Sequence, residues 1–283
     1  MKSVPKILFI ITSALGIAWL GATANARAVF TRTLYVGAVD NKGAPVTDLT
    51  AADFAVKEGG KDQKIASFQP AAGPMQVGLI VDDGGTGAFQ NPTLQFLNKM
   101  LPAGQFSIRL VNTQAIKIQD YTADPELLKT ALGKMGQRGR VQPDDDQLIE
   151  AIGEVAKELQ QRKAERPVIV VFSVYGGDHQ AVEPENVLSQ LRTSGASLSV
   201  MYVTGAKTGQ VIGDGPKQSG GRIEQVLTGP ALPAAAMKIA DSLMHQYAMT
   251  YTLPDGVKPS DRVSVTLNRK GLTLFAPTRV PDK

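Results

Sequence analysis

Hydrophobic residues in the middle of the chain form short continuous runs that alternate with helical patterns. Val77 to Val81, Val168 to Phe172 and Ser197 to Val203 have the composition of strands buried on both faces of a parallel sheet. Helical spacing appears near residues 92–100, 125–132, 185–191 and 231–247, and as one stripe of Leu148, Ile152, Val155 and Leu159. Strands that alternate with helices predict right-handed crossovers and a doubly wound, mostly parallel α/β sheet over residues 75–247.

Both ends of the chain alternate between short extended runs and turns. Strand-like runs occur at 33–36, 54–57 and 64–68 near the N-terminus, and at 248–253, 263–267 and 272–275 near the C-terminus. Neither end is long enough to bury a core by itself. We therefore expect segments 29–72 and 248–280 to form one small β unit, with the α/β domain inserted between them.

Two stretches between these elements carry more local predictions. Asp144 is expected to cap the long helix, with Gln147 closing a capping box three residues later. Residues 205–229 are rich in Gly, Lys and Gln and have little periodicity. They predict a mobile surface loop, which a compact domain tolerates because closing a loop costs little extra per residue.

The N-terminal residues have the pattern of an export signal. Lys2 and Lys6 precede an uncharged run of sixteen residues, Ile7 to Ala22, and the small residues of Ala24-Asn25-Ala26 follow it. We expect cleavage after Ala26, with Ala28 as the next choice, which makes residues 1–26 a signal peptide. The alternative is an uncleaved anchor, which a run shorter than the roughly 20 residues of a transmembrane helix disfavours. The pattern predicts a periplasmic or secreted protein without stable membrane insertion after cleavage.

Charge and reactive residues narrow the function classes. The chain has 30 basic and 26 acidic residues, and residues 1–26 contain two lysines and no acid, so the remainder has a formal charge of +2. That balance predicts no nucleic-acid partner. The chain has no Cys, which excludes a lipid-anchored lipoprotein, thiol catalysis and zinc–thiolate sites. The two histidines, His179 and His245, are too few for a triad or a His-rich metal cluster.

A spaced pattern near the N-terminus resembles a known family. It consists of Val39-Asp40, Gly43, Pro45-Val46, Leu49, Asp53-Phe54 and Val56, then an acidic turn and Gln63, Ile65 and Phe68. This pattern is similar to the opening segment of bacterial von Willebrand factor A-related proteins, notably those numerous in Acidobacteria. The order of the later elements agrees over roughly residues 31–280. The resemblance implies a von Willebrand A/Rossmann-like fold and a protein-binding function.

The resemblance also implies a divalent-cation site at the top of the sheet. The family builds it from a D-x-S-x-S loop, a Thr from a second loop and an Asp from a third. The first loop here is Asp82-Asp83-Gly84-Gly85-Thr86, which keeps the leading carboxylate and the last hydroxyl. Gly84 stands where the first Ser ligand would be, so one ligand is lost.

The other two loops depart further from the family pattern. Asp145 or Asp146 occupies the place of the Thr, and the third loop reads Ser173-Val174-Tyr175-Gly176 with Asp178 as the nearest acid. We therefore expect a degenerate site and no cofactor. Mg²⁺ or Ca²⁺ binding stays open, and extra carboxylates favour Ca²⁺ because it accepts larger oxygen shells. The simpler interpretation of the acidic run is favourable charge at a helix N-terminus.

Ligands of open α/β sheets meet the carboxyl ends of the strands, which defines the expected contact surface. That surface, the rim, comprises residues 82–89, 144–146 and 174–179, with Asp83, Gly84, Gly85, Asp144, Val174, Tyr175 and Asp178 as its contact residues. We expect an exported, non-enzymatic, adhesion- or scaffold-type domain that binds an unknown protein.

Three alternatives to this function follow from other features of the sequence. The first is an assembly protein that acts through β-strand pairing. The second is a haloacid dehalogenase-like phosphatase, whose D-x-D-G-T loop residues 81–87 resemble, although Gly84 replaces the second acid. The third is a nucleotide cradle at residues 84–87, but the G-x-G-x-x-G spacing is absent.

Overall fold

The computed structural model describes residues 30–111, 114–139, 147–176, 182–203, 208–254 and 256–281. The predicted signal peptide, the acidic run Asp144, Asp145 and Asp146, and also Asp178 and His179, lie outside the described residues.

The described residues form thirteen strands and six α-helices. The strands are β1 (Thr31–Val39), β2 (Phe54–Glu58), β3 (Lys61–Gln63), β4 (Ile65–Pro70), β5 (Met75–Asp82), β6 (Gly104–Val111), β7 (Ala115–Thr122), β8 (Pro167–Ser173), β9 (Ser197–Val203), β10 (Ile223–Val226), β11 (Tyr247–Thr252), β12 (Val263–Leu267) and β13 (Thr273–Phe275). The helices are α1 (Gln90–Met100), α2 (Pro125–Gly133), α3 (Leu148–Gln161), α4 (Pro184–Ser194), α5 (Gln210–Ser219) and α6 (Leu232–Met244).

The central sheet has six strands in the order β10-β9-β8-β5-β6-β7. All neighbours are parallel except β7, which runs antiparallel to β6 at one edge. The chain builds outward from β5 to β6 and β7, then crosses back to place β8 on the other side of β5. The strand order therefore reverses between β5 and β8, as in doubly wound sheets. This confirms the predicted fold class, a doubly wound, mostly parallel α/β sheet of the Rossmann-like kind.

Helices cover both faces of the central sheet, which explains its continuous apolar strands. Helices α1, α2 and α6 pack on one face, where Phe96, Leu128 and Ile239 are buried. Helices α3, α4 and α5 pack on the other face, where the predicted stripe of α3 is buried together with Leu188 and Ile212. None of the helices in the described ranges combines the length and apolar character that a membrane crossing needs.

The two ends of the chain combine into separate small sheets. Strands β13, β1, β11 and β4 form one sheet, and β12, β2 and β3 form another. In the first, β1 from the N-terminal segment pairs antiparallel with β11 from the C-terminal segment, Thr31 opposite Thr252. These sheets share their own core, which includes Leu34, Val36, Val56, Met249 and Tyr251. Since each sheet takes strands from both ends, neither terminal segment forms a sheet of this kind alone.

A buried ionic cluster joins the two terminal segments. The Glu58 carboxylate accepts hydrogen bonds from Arg32 Nε at 3.0 Å, Tyr251 Oη at 2.6 Å and the Ser260 backbone N–H at 2.8 Å. The side chains of Arg32 and Glu58 are 7% and 2% exposed. Arg32 Nη1 also donates to the carbonyl of Pro281 at 2.7 Å. Buried charge is therefore compensated by groups from both ends of the chain, as burial requires.

The predicted surface loop at 205–229 is wrong, because this stretch contains α5 and β10. Helix propensity does not predict α5, because it contains three residues that disfavour helices: Gly213, Gly215 and Pro216. Packing overrides propensity here: Val211 and Ile212 of α5 are fully buried. A Cβ on Gly215 would lie 2.8 Å from the Leu198 side chain of β9, so the glycine permits the close approach.

Two predicted helix ends also differ from the structure. Helix α3 begins at Leu148, with Gln147 as its N-cap residue, which is later than the predicted start at Asp144. The predicted capping box depends on Asp144, which lies outside the described residues. Helix α6 ends at Met244, and Tyr247 already begins β11. The phenol of Tyr247 is stacked on Phe68, with ring centroids 4.7 Å apart. Tyr247 therefore belongs to the terminal sheets, although the sequence pattern predicts it as the last residue of the helix.

Candidate functional site

Asp82 and Ser173 end the neighbouring strands β5 and β8, at the point where the strand order reverses. The parallel register places them opposite each other. Ser173 Oγ donates a hydrogen bond to Asp82 Oδ2 at 2.6 Å and accepts one from the Tyr175 N–H at 2.9 Å. The Val174 N–H donates to the Asp82 carbonyl at 2.9 Å. Asp82 is 3% exposed and Ser173 is 0% exposed, so these hydrogen bonds connect the two rim loops below the surface.

A glycine-rich turn follows Asp82. Gly84, Gly85 and Gly87 have φ values of 58°, 76° and 78°, in the left-handed region that glycine adopts without steric cost. A Cβ on Gly84 would lie 3.1 Å from the Tyr175 hydroxyl of the neighbouring loop. The turn therefore needs glycine at position 84 for both its backbone conformation and its contact with Tyr175.

The N–H groups of this turn face inward. Gly85 and Gly87 donate to the Asp83 carboxylate at 2.9 and 2.8 Å, and Gly84 N lies 3.4 Å from Asp82 Oδ1. A nucleotide cradle uses free N–H groups of this kind to hold phosphate oxygens. Because the N–H groups bond to the protein's own carboxylates, this geometry disfavours the nucleotide cradle.

Asp83 carries a buried charge that the protein neutralises itself. Its side chain is 0% exposed, and Arg138 Nη2 donates to its Oδ1 at 2.7 Å. Arg138 is held in place by two more bonds, from its backbone N–H to the Gly85 carbonyl at 2.8 Å and from Nη1 to the Gly136 carbonyl at 2.9 Å. A guanidinium thus sits in contact with the loop in which the resemblance implies a divalent cation.

Thr86 has its hydroxyl engaged within its own turn. Thr86 Oγ1 donates to the Asp83 carbonyl at 2.7 Å and lies 3.3 Å from the Ala88 N–H, from which it accepts. The residue is exposed. The hydroxyl acts as a turn-stabilising group here, in the way that Thr and Ser hydroxyls stabilise turns elsewhere.

The structure brings some of the predicted rim residues together. Asp82, Asp83, Gly84, Gly85 and Thr86 form one turn. Val174 and Tyr175 lie against that turn, since both approach the position of a Cβ on Gly84 within 4 Å. The roles of these residues stay predictions, as do those of the rim and metal residues outside the described ranges.

Sequence reasoning missed Arg138. It is 55 positions from Asp83 in a segment after α2, and no local pattern marks it as a partner. The one signal in the sequence is the pair of adjacent aspartates at 82 and 83, because a second buried carboxylate requires a compensating cation.

Two features of the described residues disfavour a divalent cation at the Asp82 turn. Mg²⁺ takes six oxygens in octahedral geometry, and Ca²⁺ takes six to eight. Within the described ranges, no group of three or more His, Cys, Asp or Glu is placed to hold a metal ion. Gly84 supplies no side-chain oxygen, and the Arg138 guanidinium adds a positive charge beside Asp83.

The phosphatase alternative is also disfavoured by this geometry. In that mechanism the first aspartate attacks phosphorus, so its carboxylate must reach the substrate. Asp82 is 3% exposed and hydrogen-bonded to Ser173. Asp83, the adjacent acid, is fully buried in its ion pair.

Comparisons with known proteins find similarity of structure only. No protein-family model matches the chain, and no curated protein sequence matches it. Among solved structures, the chain is similar to a von Willebrand factor type A protein from Catenulispora acidiphila, with 9% identity and a TM-score of 0.48, over 92% of this chain and 76% of that one. It is also similar to the vWF domain of the type V pili tip protein Mfa5 from Porphyromonas gingivalis, with 9% identity and a TM-score of 0.47, over 61% of this chain and 96% of that one.

A third similar structure is proximal thread matrix protein 1 from the mussel byssus, with a zinc-occupied MIDAS motif. It has 13% identity and a TM-score of 0.47, over 66% of this chain and 49% of that one. The chain therefore spans about half the length of the mussel protein. At these identities no residue role is transferred from any of the three structures.

Proposed function

We propose that this chain is an exported, non-enzymatic protein-binding domain that contacts its partner through the rim without a divalent cation. The observation that carries the proposal is the ion pair of Asp83 with Arg138, at 2.7 Å with Asp83 fully buried. The guanidinium neutralises the Asp83 carboxylate. A cation at the same loop would be repelled by it and would find the Thr86 hydroxyl already bonded.

The surface of the rim supports contact with a protein. Thr86 and Ala88 are exposed, and Val174 and Tyr175 are half-buried, so apolar and hydroxyl groups face outward together. Tyrosine is enriched in protein interfaces, because its ring buries apolar area and its hydroxyl forms a hydrogen bond. The hydrogen bonds between Asp82, Ser173 and Tyr175 hold both loops in place before binding, which reduces the entropy cost of association.

Export is supported by the positively charged start, the apolar run and the small residues that precede position 27. N-terminal sequencing of the protein recovered outside the cytoplasm tests it. We expect a chain that begins at Arg27. A chain that retains Met1 and sediments with membranes contradicts the export part of the proposal and favours the anchor.

Calorimetric titration with Mg²⁺, Mn²⁺ and Ca²⁺ tests the metal-independent part. We expect no saturable heat and no change in Tm at millimolar metal. Asp82→Ala is the matched variant, because it removes the carboxylate that any cation site of the family type requires. Saturable binding by the native chain that disappears in Asp82→Ala would show a working cation site and refute this part.

Site-specific photo-crosslinking in the expressing cells tests the rim itself. A crosslinking side chain is placed at Tyr175 of the rim or at Leu127, which is 47% exposed on α2. Position 127 follows β7, at the opposite end of the sheet from the rim, and is the matched control. We expect a crosslinked protein from position 175 only, unchanged by a metal chelator. Equal crosslinking from both positions would contradict a rim interface.

A role in assembly through β-strand pairing is the second candidate, and one observation favours it. Strand β4 is an edge of its sheet, and four of its six residues are exposed. An edge strand presents unpaired N–H and C=O groups to another strand. Crosslinking from Ser67 on β4, with none from Tyr175, is the result that favours this candidate over the rim.

A further inference from the structure

A cavity of about 310 Å³ lies at the opposite end of the central sheet from the rim. The amino ends of β8 and β9, the end of α4, strand β1 and residues 277–281 surround it. Its apolar lining includes Leu34, Val168, Leu188, Leu191 and Val280. Its volume is at the lower end of the range for ligand pockets, about 300–1,000 Å³. The size and lining suit a small molecule with an apolar portion.

Four arginines line this cavity, and Arg166 differs from the other three. Arg32 is paired with Glu58, and Arg192 and Arg279 both contact Asp261 Oδ2, at 3.4 and 2.7 Å. No carboxylate forms an ion pair with Arg166 within the described part of the chain.

Arg166 is also the most deeply buried of the four arginines. It is 5% exposed, and its Nε is buried without a hydrogen-bond partner among the described residues. Burial lowers the pKa of Arg166, which is the direction expected when the charged form is desolvated. Its Nη2 donates to the Leu243 carbonyl at 2.7 Å and to Gln246 Oε1 at 3.0 Å. These neutral acceptors stabilise the guanidinium in part, but they leave its charge without a counter-ion.

A buried guanidinium without a counter-ion is costly, and an anion placed beside it removes that cost. Carboxylates are suited to this role, because they accept charge-assisted hydrogen bonds from a planar guanidinium. We propose that the cavity binds a small organic carboxylate with an apolar portion, whose carboxylate pairs with Arg166 and whose apolar portion contacts Leu188 and Leu191. The site is remote from the rim, so it stands or falls independently of the proposed function.

Isothermal titration of the purified chain with octanoate, and with octanamide as the uncharged analogue, tests this site. We expect saturable one-to-one binding of octanoate and about 10- to 100-fold weaker binding of octanamide, the range for a hydrogen bond to a charged group. A short peptide that ends in Leu, with a free or an amidated C-terminus, identifies the source of the carboxylate. Binding of the free-acid peptide in place of octanoate would support the same site with a polypeptide C-terminus as its ligand.

Three variants locate the binding. Arg166→Met removes the guanidinium, and we expect octanoate affinity to fall about 10-fold or more. Because Arg166 also holds the Leu243 carbonyl, Leu191→Phe serves as a second variant that fills the cavity and keeps the arginine. Arg192→Gln is the matched control, since Arg192 lines the same cavity but shares Asp261 with Arg279. We expect its affinity to stay within about threefold of the native chain, because a paired, half-exposed charge contributes little.

The proposal is overturned if octanamide binds as tightly as octanoate, or if neither octanoate nor the free-acid peptide binds at millimolar concentration. It is also overturned if Leu191→Phe, or a folded Arg166→Met, retains native affinity. A loss of affinity in Arg192→Gln equal to that in Arg166→Met would likewise contradict the assignment to Arg166.

Discussion

Replacing Arg138 by methionine is the most direct test of the structure proposed for the rim. The Asp83 carboxylate is 0% exposed, and Arg138, which is 21% exposed, is the cation in contact with it. Breaking a buried pair by removing one partner costs about 3–5 kcal/mol, and the partial exposure of Arg138 places the expected loss near the lower figure. Arg138→Met should therefore lower the free energy of unfolding by about 3 kcal/mol, a large fraction of the 5–15 kcal/mol typical of a domain.

Urea unfolding followed by circular dichroism measures this loss. With an m-value of about 2–3 kcal/mol per M, the midpoint should fall by about 1–1.5 M. The double variant Arg138→Met with Asp83→Asn removes both charges and should recover most of the loss, since no uncompensated charge then remains. Arg138→Lys keeps the charge but not the second fork contact to Gly136, and should give an intermediate midpoint. An unchanged midpoint in Arg138→Met would refute the claim that this guanidinium neutralises Asp83.

Three further predictions concern the rest of the fold. Glu58→Gln should lower the free energy of unfolding in urea by about 3–5 kcal/mol, because it leaves the buried Arg32 guanidinium without its carboxylate. Asp48→Asn is the control: it breaks the exposed ion pair with Arg269 and should leave the midpoint unchanged. Equal losses in the two variants would contradict the role of burial. Burial raises the pKa of Tyr121 to about 12, so its contribution to stability is complete below about pH 10, the unfolded value, and falls by about 2–3 kcal/mol as the pH rises to about 12. Tyr121→Phe should lose less stability than the native chain between about pH 10 and pH 12 in the same assay, and an equal loss would contradict the burial of this phenol. Gly221→Ala should prevent folding, because its Cβ would lie 1.8 Å from a carbonyl oxygen of β9, whereas Gly133→Ala has nothing within 4 Å of its Cβ and should fold with an equal or higher Tm.

Local patterns in the sequence predicted the central sheet except for its edge strand β10. The apolar runs that end at Val81 and Phe172 became β5 and β8, because only a strand covered on both faces is apolar at every position. The α3 stripe is buried as expected, since its spacing places all four residues on one face of a helix. The acidic turn after β5 was also located from sequence, because the strand ends where its apolar run ends.

Local patterns failed where packing outweighs propensity. Helix α5 contains two glycines and a proline, and only its contact with β9 explains why it forms. The start of α3 was placed too early, because an acidic run has the composition of a helix cap whether or not it caps. Tyr247 was assigned to a helix, although stacking on Phe68 places it in a strand.

By itself the sequence determined the order of the elements other than α5 and β10, the doubly wound sheet and the position of the Asp82 turn, because each depends on residues close together in the chain. Only the tertiary structure decided which charges meet: Arg138 with Asp83, Arg32 with Glu58, and Arg166 with no carboxylate among the described residues. These pairings join residues 26 and 55 positions apart, and one buried cation is left beside a cavity. The physical reason is that desolvation makes every buried charge depend on its neighbours in space, and periodicity along the chain does not identify those neighbours.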